Sequence, residues 1–145
     1  MIPNITAEYQ RYCSLNSEIE ECYHAACTRL GQPDSVIQIL YVLCLEEEPC
    51  PIGRILRESG LAKQTAHSAL HRLESAGHLR LQPLDGKRKG AVLTASGRAL
   101  AERTAQRMIA AEQAVFRDWD PADRQAYLDL TRRFLTDLRT EFGKL

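Results

Sequence analysis

Residues 51 to 84 read PIGRILRESGLAKQTAHSALHRLESAGHLRLQPL, and the spacing of their apolar positions allows very few folds. Ile52, Ile55 and Leu56 share one face of a short helix over 51–60, which Gly60 terminates. Ala66, Ala69, Leu70 and Leu73 recur at three and four positions over 63–77, a second helix with Gly77 as its stop. Only Leu61 and Ala62 lie between the two, so the helices must turn sharply and share one core. That is a helix-turn-helix arrangement.

The next segment has a different period. From His78 to Leu84, Leu79 and Leu81 alternate with Arg80 and Gln82, the pattern of a half-buried strand. Ala91, Val92 and Leu93 form the return strand, and Asp85-Gly86 supplies turn chemistry between them. The hairpin carries Lys87, Arg88 and Lys89 at its tip, and a hairpin directly after a helix-turn-helix is a wing.

The flanking segments are helical. Over 9–30, Tyr12, Leu15, Ile19, Cys22, Tyr23, Ala26 and Leu30 keep helical spacing, and Gly31 and Pro33 end the run. Asp34 is placed to cap the next helix, whose VIQILYVLCL is apolar nearly all round and so buried. A long helix is expected from Thr94 to about Phe116, with Leu100, Ala101, Thr104, Met108, Ala111 and Val115 in register. In DWDPAD, Asp120 is the expected cap of a last helix and Pro121 suits its first position. That helix presents Tyr127, Leu130, Thr131, Phe134 and Leu138 on one side. The fold class is therefore mostly α with a small β-hairpin wing.

Charge decides what such a frame could bind. The formal net charge is zero, yet residues 1–53 hold 2 Lys/Arg against 8 Asp/Glu, residues 54–107 hold 11 against 4, and residues 108–145 hold 6 against 7. The central block has a net charge of +7, the electrostatic footprint of a surface for a polyanion. Lys63, Gln64, Thr65, His67, Ser68, His71 and Arg72 face away from the apolar stripe of the second helix. Amide and hydroxyl groups there can bond base edges in a major groove; Gln64 suits adenine, and Ser68 tolerates several partners. Lys63 and Arg72, with Arg54 and Arg57 on the preceding helix, suit phosphate contacts that position without reading sequence. The thin tip with Lys87, Arg88 and Lys89 suits the negative potential of a minor groove.

The stretch 49–97 resembles the winged helix-turn-helix of MarR-family transcriptional regulators, and the flanking helices suit that family across nearly the whole chain. The most specific pieces are KQTxxSALxRLExxG on the second helix and the wing pattern Asp-x-Arg, a strand, then Leu-Thr-x-x-Gly. Asp85, Leu93, Thr94 and Gly97 stand at that spacing, whereas position 87 is Lys where the family usually has Arg. The resemblance implies one MarR-like domain over 1–145: a DNA-binding lobe at 34–97, and a dimerisation region formed by 1–33 with 98–145. It implies an obligate homodimer whose first and last helices interlock, on a pseudo-palindromic double-stranded operator. A small-molecule effector or a redox signal would alter the spacing of the two DNA-reading heads, which makes a repressor released by that signal the expected function. In the family the wing Arg enters the minor groove while the Asp steadies it. With Lys at 87, Arg88 is expected to take over as the inserted group, held by Asp85, because guanidinium is planar and weakly hydrated.

Five cysteines, none in a CxxC pair, fit reduced thiols and a cytoplasmic setting better than a disulfide scaffold. Cys50, where the first helix of the DNA-binding lobe begins, is the expected reactive thiol, since a helix start lowers thiol pKa. Cys13, near Tyr9 and Tyr12, is the second candidate: peroxide-sensing branches of the family use a cysteine early in the first helix beside tyrosines. Its offset from the end of that helix differs from theirs by one turn. Of Cys22, His24 and Cys27 only the last two share a helical face, too few ligands for a structural zinc site. No metal or cofactor is expected. The chain lacks a phosphate loop, a nucleophile elbow and a metal-hydrolase helix, so no enzyme is expected either. A winged-helix module for protein partners would not need so basic a central block. No apolar run nears the about 20 residues of a membrane span.

Overall fold

The computed structural model describes residues 4–145. The chain divides into two compact units, one ending at Met108 and the other running from Ile109 to Leu145. The first contains α1 (Ala7–Leu30), α2 (Asp34–Leu45), β1 (Cys50–Pro51), α3 (Ile52–Ser59), α4 (Lys63–Ser75), β2 (Leu79–Pro83), β3 (Lys89–Leu93) and α5 (Ala95–Arg103). α6 (Ala105–Asp118) runs across the division, and α7 (Pro121–Phe142) lies in the second unit.

α2 is the hub of the first unit. Val36, Ile37, Ile39, Leu40, Val42 and Leu43 are buried on it, whereas Asp34, Gln38 and Leu45 leave one side open, so the all-round burial expected of it is not met. α1, α3, α4 and α5 all pack on it. Ile55 from α3, Leu73 from α4 and Leu100 from α5 complete the most deeply buried set. Each such side chain contributes about 1.5–3 kcal/mol of burial, which fixes the angle between α3 and α4. Ser59 secures the turn between them: its hydroxyl accepts from Leu61 N–H at 3.3 Å, and its carbonyl accepts from Gln38 Nε2 at 3.1 Å.

The hairpin is part of a three-stranded antiparallel sheet of order β1-β3-β2. Leu79 pairs with Leu93 and Pro83 with Lys89, while Cys50 and Pro51 pair with Ala91 and Gly90. The third strand is not expected from the sequence, which reads Pro51 as the start of a helix. Lys89 belongs to β3 rather than to the tip.

α5 is docked at its start. Thr94 caps it by accepting from Gly97 N–H, and Thr94 and Ser96 hydroxyls both donate to Gly77 O, at 2.7 and 3.0 Å. A Cβ on Gly97 would lie 1.8 Å from His78 O. Only glycine allows this approach.

The single long helix expected over 94–116 is two helices. Thr104, 1% exposed, has φ −127° and ψ −92°, and its Oγ1 donates to Leu100 O at 2.6 Å. The hydroxyl competes for the carbonyl that the helical ladder would use. Two caps also differ from expectation. Pro33 occupies the N-cap of α2, and Asp34 instead accepts from His24 Nδ1 at 2.8 Å. Asp120 is the N-cap of α7, but its side chain makes no capping bond among the described residues.

In the second unit Phe116, Trp119 and Tyr127 form a cluster of tilted and edge-on rings with centroids 5.4–5.9 Å apart. Arg124 Nη1 donates to the carbonyls of Phe116 and Trp119, at 3.0 and 2.8 Å, closing the end of α6. Among the described residues α7 buries none, and Tyr127, Leu128, Leu130, Phe134, Leu135 and Phe142 are exposed. α1 likewise exposes Tyr9, Tyr12, Leu15, Ile19 and Tyr23 and buries only Cys27 among its described residues.

Candidate nucleic-acid interface

α4 separates its two faces cleanly. Ala66, Ala69, Leu70 and Leu73 are buried, whereas Lys63, Gln64, Thr65, His67, Ser68, His71 and Arg72 are exposed. The small Ala66 and Ala69 let α4 seat closely on α2, so its polar face stands proud. Ala62 is the N-cap and offers no capping side chain. The first amides of α4 keep their partial positive charge beside Lys63 and Gln64.

The wing folds back toward α3 rather than standing alone. Arg54, Arg57, Lys87, Arg88 and Lys89 line one groove of about 610 Å³ together with Pro51, Ile52 and Gly53. Five cations from two elements therefore surround one concavity. A smaller one of about 270 Å³ lies between α4 and the wing, with Ile52, Leu70 and Leu81 as its apolar lining and His67, His71, Glu74 and Lys89 as its polar one.

The cations are not equivalent. Arg88 Nε donates to Asp85 Oδ1 at 2.8 Å, and Arg88 N–H donates to Asp85 O at the same distance. Asp85 thus holds Arg88, not Lys87, which is the pairing expected if Arg88 is the inserted group. Arg54 Nε donates to Glu46 Oε2 at 2.6 Å. This bond raises the Arg54 pKa further and keeps the guanidinium charged. A phosphate approaching Arg54 must compete with Glu46.

Gly90 sits where β1 and the wing meet. A Cβ there would lie 2.8 Å from Pro49 Cβ and 3.0 Å from Leu84 Cδ2. Closely packed, β3 becomes the rigid stem from which the tip projects.

Residues 30–90 match the family model of the MarR family. The winged helix is thus similar to that of the MarR family. No curated protein sequence matches the chain, but solved structures do. A MarR-family transcriptional regulator from Silicibacter pomeroyi superposes with a TM-score of 0.73 at 26% identity, covering 94% of this chain and 97% of that one. Sco3205 of Streptomyces coelicolor, solved in complex with DNA, gives 0.72 at 22% identity over 96% of this chain and 92% of its own. PcaV of the same organism, solved with its natural ligand, gives 0.68 at 18% identity over 93% and 98%.

Within this winged-helix frame one expected thiol is corrected. Cys50 does not open a helix: it lies in β1, is 1% exposed, and burial pushes its thiol up, with Glu46 adding to the effect. A buried thiol of raised pKa is protonated and shielded, the reverse of a reactive one. Cys13 is exposed, and its hydrogen bond to Tyr9 raises the tyrosine pKa. Cys27 is buried with its thiol pushed up, and His24 bonds Asp34 rather than sharing a ligand set with it.

Two residues that sequence reasoning passed over hold groups of α3 and of the wing root. Glu46 and Glu48 belong to an acidic triplet at 46–48; Glu46 holds Arg54, and Glu48 holds both Leu93 and Arg98. Three acidic residues beside the most basic block of the chain were the available signal.

Proposed function

We propose that the protein is a homodimeric transcriptional regulator that binds pseudo-palindromic double-stranded DNA. The observation that carries this reading is the convergence of two features. An exposed polar helix face follows a tight helix-helix turn, and beside it five cations ring one groove. In this reading Gln64, Thr65, His67, Ser68 and His71 meet base edges in the major groove. Lys63, Arg72, Arg54 and Arg57 hold phosphates, and Lys87, Arg88 and Lys89 follow the adjacent minor groove under the control of Asp85. Related folds solved with DNA, Sco3205 and the S. aureus MepR, support the assignment.

The lobe at 34–97 reads DNA, and residues 1–33 with 98–145 pair two copies. Tyr9 at 56%, Ile19 at 52%, Leu128 at 52% and Leu130 at 63% exposure are the support for pairing, since apolar faces of this size seldom stay in water. The expected action is repression released by a small molecule. PcaV is known with its natural ligand, and BpsR of Bordetella bronchiseptica is regulated in DNA binding by 6-hydroxynicotinic acid. A redox input, if present, acts through Cys13 rather than Cys50. A cytoplasmic setting follows from the function, and among the described residues no helix is long and apolar enough to cross a membrane.

A gel-shift titration against the DNA upstream of the protein's own gene, at two salt concentrations, tests the reading. The proposal expects saturable retardation that weakens steeply with salt and outlasts competition by unrelated duplex. Retardation that unrelated duplex abolishes equally, or none at either salt, would overturn it.

A further inference from the structure

We infer that Glu48 is the positioning residue of the wing, an assignment that rests on the DNA-binding reading above. β1 pairs with β3 only at Cys50–Ala91 and Pro51–Gly90. Carried two residues further, the same register would set the backbone of residue 48 opposite Leu93. The strand stops short of that point, and the Glu48 side chain takes over: its Oε1 accepts from Leu93 N–H at 3.1 Å. A carboxylate thus stands in for the missing strand carbonyl at the root of the hairpin.

The second oxygen of the same group makes the arrangement directional. Glu48 Oε2 accepts from Arg98 Nη2 at 2.8 Å. Arg98 lies one turn into α5, whose start is already fixed to Gly77 and His78 by Thr94, Ser96 and the bare Gly97. One carboxylate therefore ties the end of β3 to α5. On the β1 side, β3 is gripped at Gly90 and Ala91 by backbone and at Leu93 by Glu48. Beyond Gly90 it carries Lys89 and the tip. Released at Leu93, β3 would keep only its two backbone partners on the β1 side, and a small rotation on that side is magnified at Lys87 and Arg88.

The acceptor must be charged and reach both partners. Bonds to charged groups are the strong class, each worth tenfold or more in a local opening equilibrium by order of magnitude. Glu48 touches no nucleic acid in this scheme; it sets where the tip stands.

The experiment uses the full chain and three variants, Glu48→Ala, Glu48→Gln and Arg98→Ala, at a temperature where circular dichroism shows each folded. Amide exchange is read at Leu93, and binding to the upstream DNA is read as affinity, salt slope and hydroxyl-radical protection. Glu48→Ala is expected to speed exchange at Leu93 by about tenfold or more. It should also lower the salt slope by about one to two and remove protection at the flanking minor grooves while the major-groove protection persists. Glu48→Gln keeps an acceptor for Leu93, so it should restore slow exchange there yet bind like Arg98→Ala, between wild type and Glu48→Ala. Unchanged exchange at Leu93, or a folded Glu48→Ala with wild-type slope and flanking protection, would overturn the inference. A wild type that binds no DNA would instead overturn the functional reading, and exchange at Leu93 would still decide whether Glu48 grips the strand.

Discussion

Removing the two tip cations separately, Lys87→Ala and Arg88→Ala, distinguishes a wing that inserts Arg88 from one that offers a diffuse positive charge. Arg88 and Asp85 are bonded at 2.8 Å, and together they sum to zero charge. Lys87→Ala removes one cation and disturbs no pair. Arg88→Ala removes one cation and leaves the Asp85 carboxylate uncompensated, facing phosphate. Each lost phosphate contact should lower the slope of log affinity against log salt by about 0.9. Over a change from about 50 to 200 mM salt that slope is a factor of about 3.5 in affinity. Arg88→Ala should therefore show the same slope loss as Lys87→Ala with a larger loss of affinity at low salt. Asp85→Asn combined with Arg88→Ala should return the affinity to that of Lys87→Ala, and the Lys87→Ala/Arg88→Ala pair should lose about 1.8 in slope. Fluorescence anisotropy of a labelled operator over that salt range gives all of these values. The reasoning fails if Arg88→Ala retains wild-type slope and affinity while Lys87→Ala does not.

Gly97→Ala drives a Cβ to 1.8 Å from His78 O, and relief costs the Thr94–His78 and Gly77 bonds, about 3 kcal/mol or more by urea denaturation. Gly53→Ala, whose Cβ would meet only Arg57 Nη1 at 3.5 Å, should stay within about 1 kcal/mol of wild type, and equal midpoints for the two would contradict the packing argument. The hydrogen bond to Asp34 and then its charge raise the His24 pKa above the ordinary value of 6.5. A raised folded pKa gives stability that is complete below pH 6.5 and lost as pH rises through the folded value. The melting temperature of wild type should thus exceed that of His24→Gln at low pH and converge with it at high pH; a constant gap would refute the linkage. Cys50 and Cys27, buried with raised pKa values, should react with Ellman's reagent only on unfolding. A native fast phase that Cys50→Ser removes would restore the discarded assignment.

Local chemistry explains which features could be read before the fold was known. The stripe of α4, its polar face and the turns at Gly60 and Gly77 follow from periodicity and from residues that act on their own backbone. β1 escaped because a two-residue strand has no pattern of its own; Ala91 and Gly90 make it a strand. The break at Thr104 escaped because threonine fits the helical register, and the competing bond to Leu100 is visible only once the side chain is buried. The reading of Cys50 differs because α3 starts only at Ile52, which leaves Cys50 buried in an edge strand rather than at a helix end. Glu48 was out of reach for a different reason: its partners Leu93 and Arg98 lie 45 and 50 residues away. The cationic face could be located from charge alone, but the counter-ions that tune it, Glu46 and Glu48, needed tertiary structure.

The most direct test of the account is a hydroxyl-radical footprint on the selected upstream duplex, with the protein-to-DNA ratio fixed by sedimentation. Two chains per duplex are expected, with two protected major-groove patches one helical turn or a multiple apart, about 34–36 Å per turn, each flanked by minor-groove protection. One chain per duplex, or protection without that spacing, would contradict it.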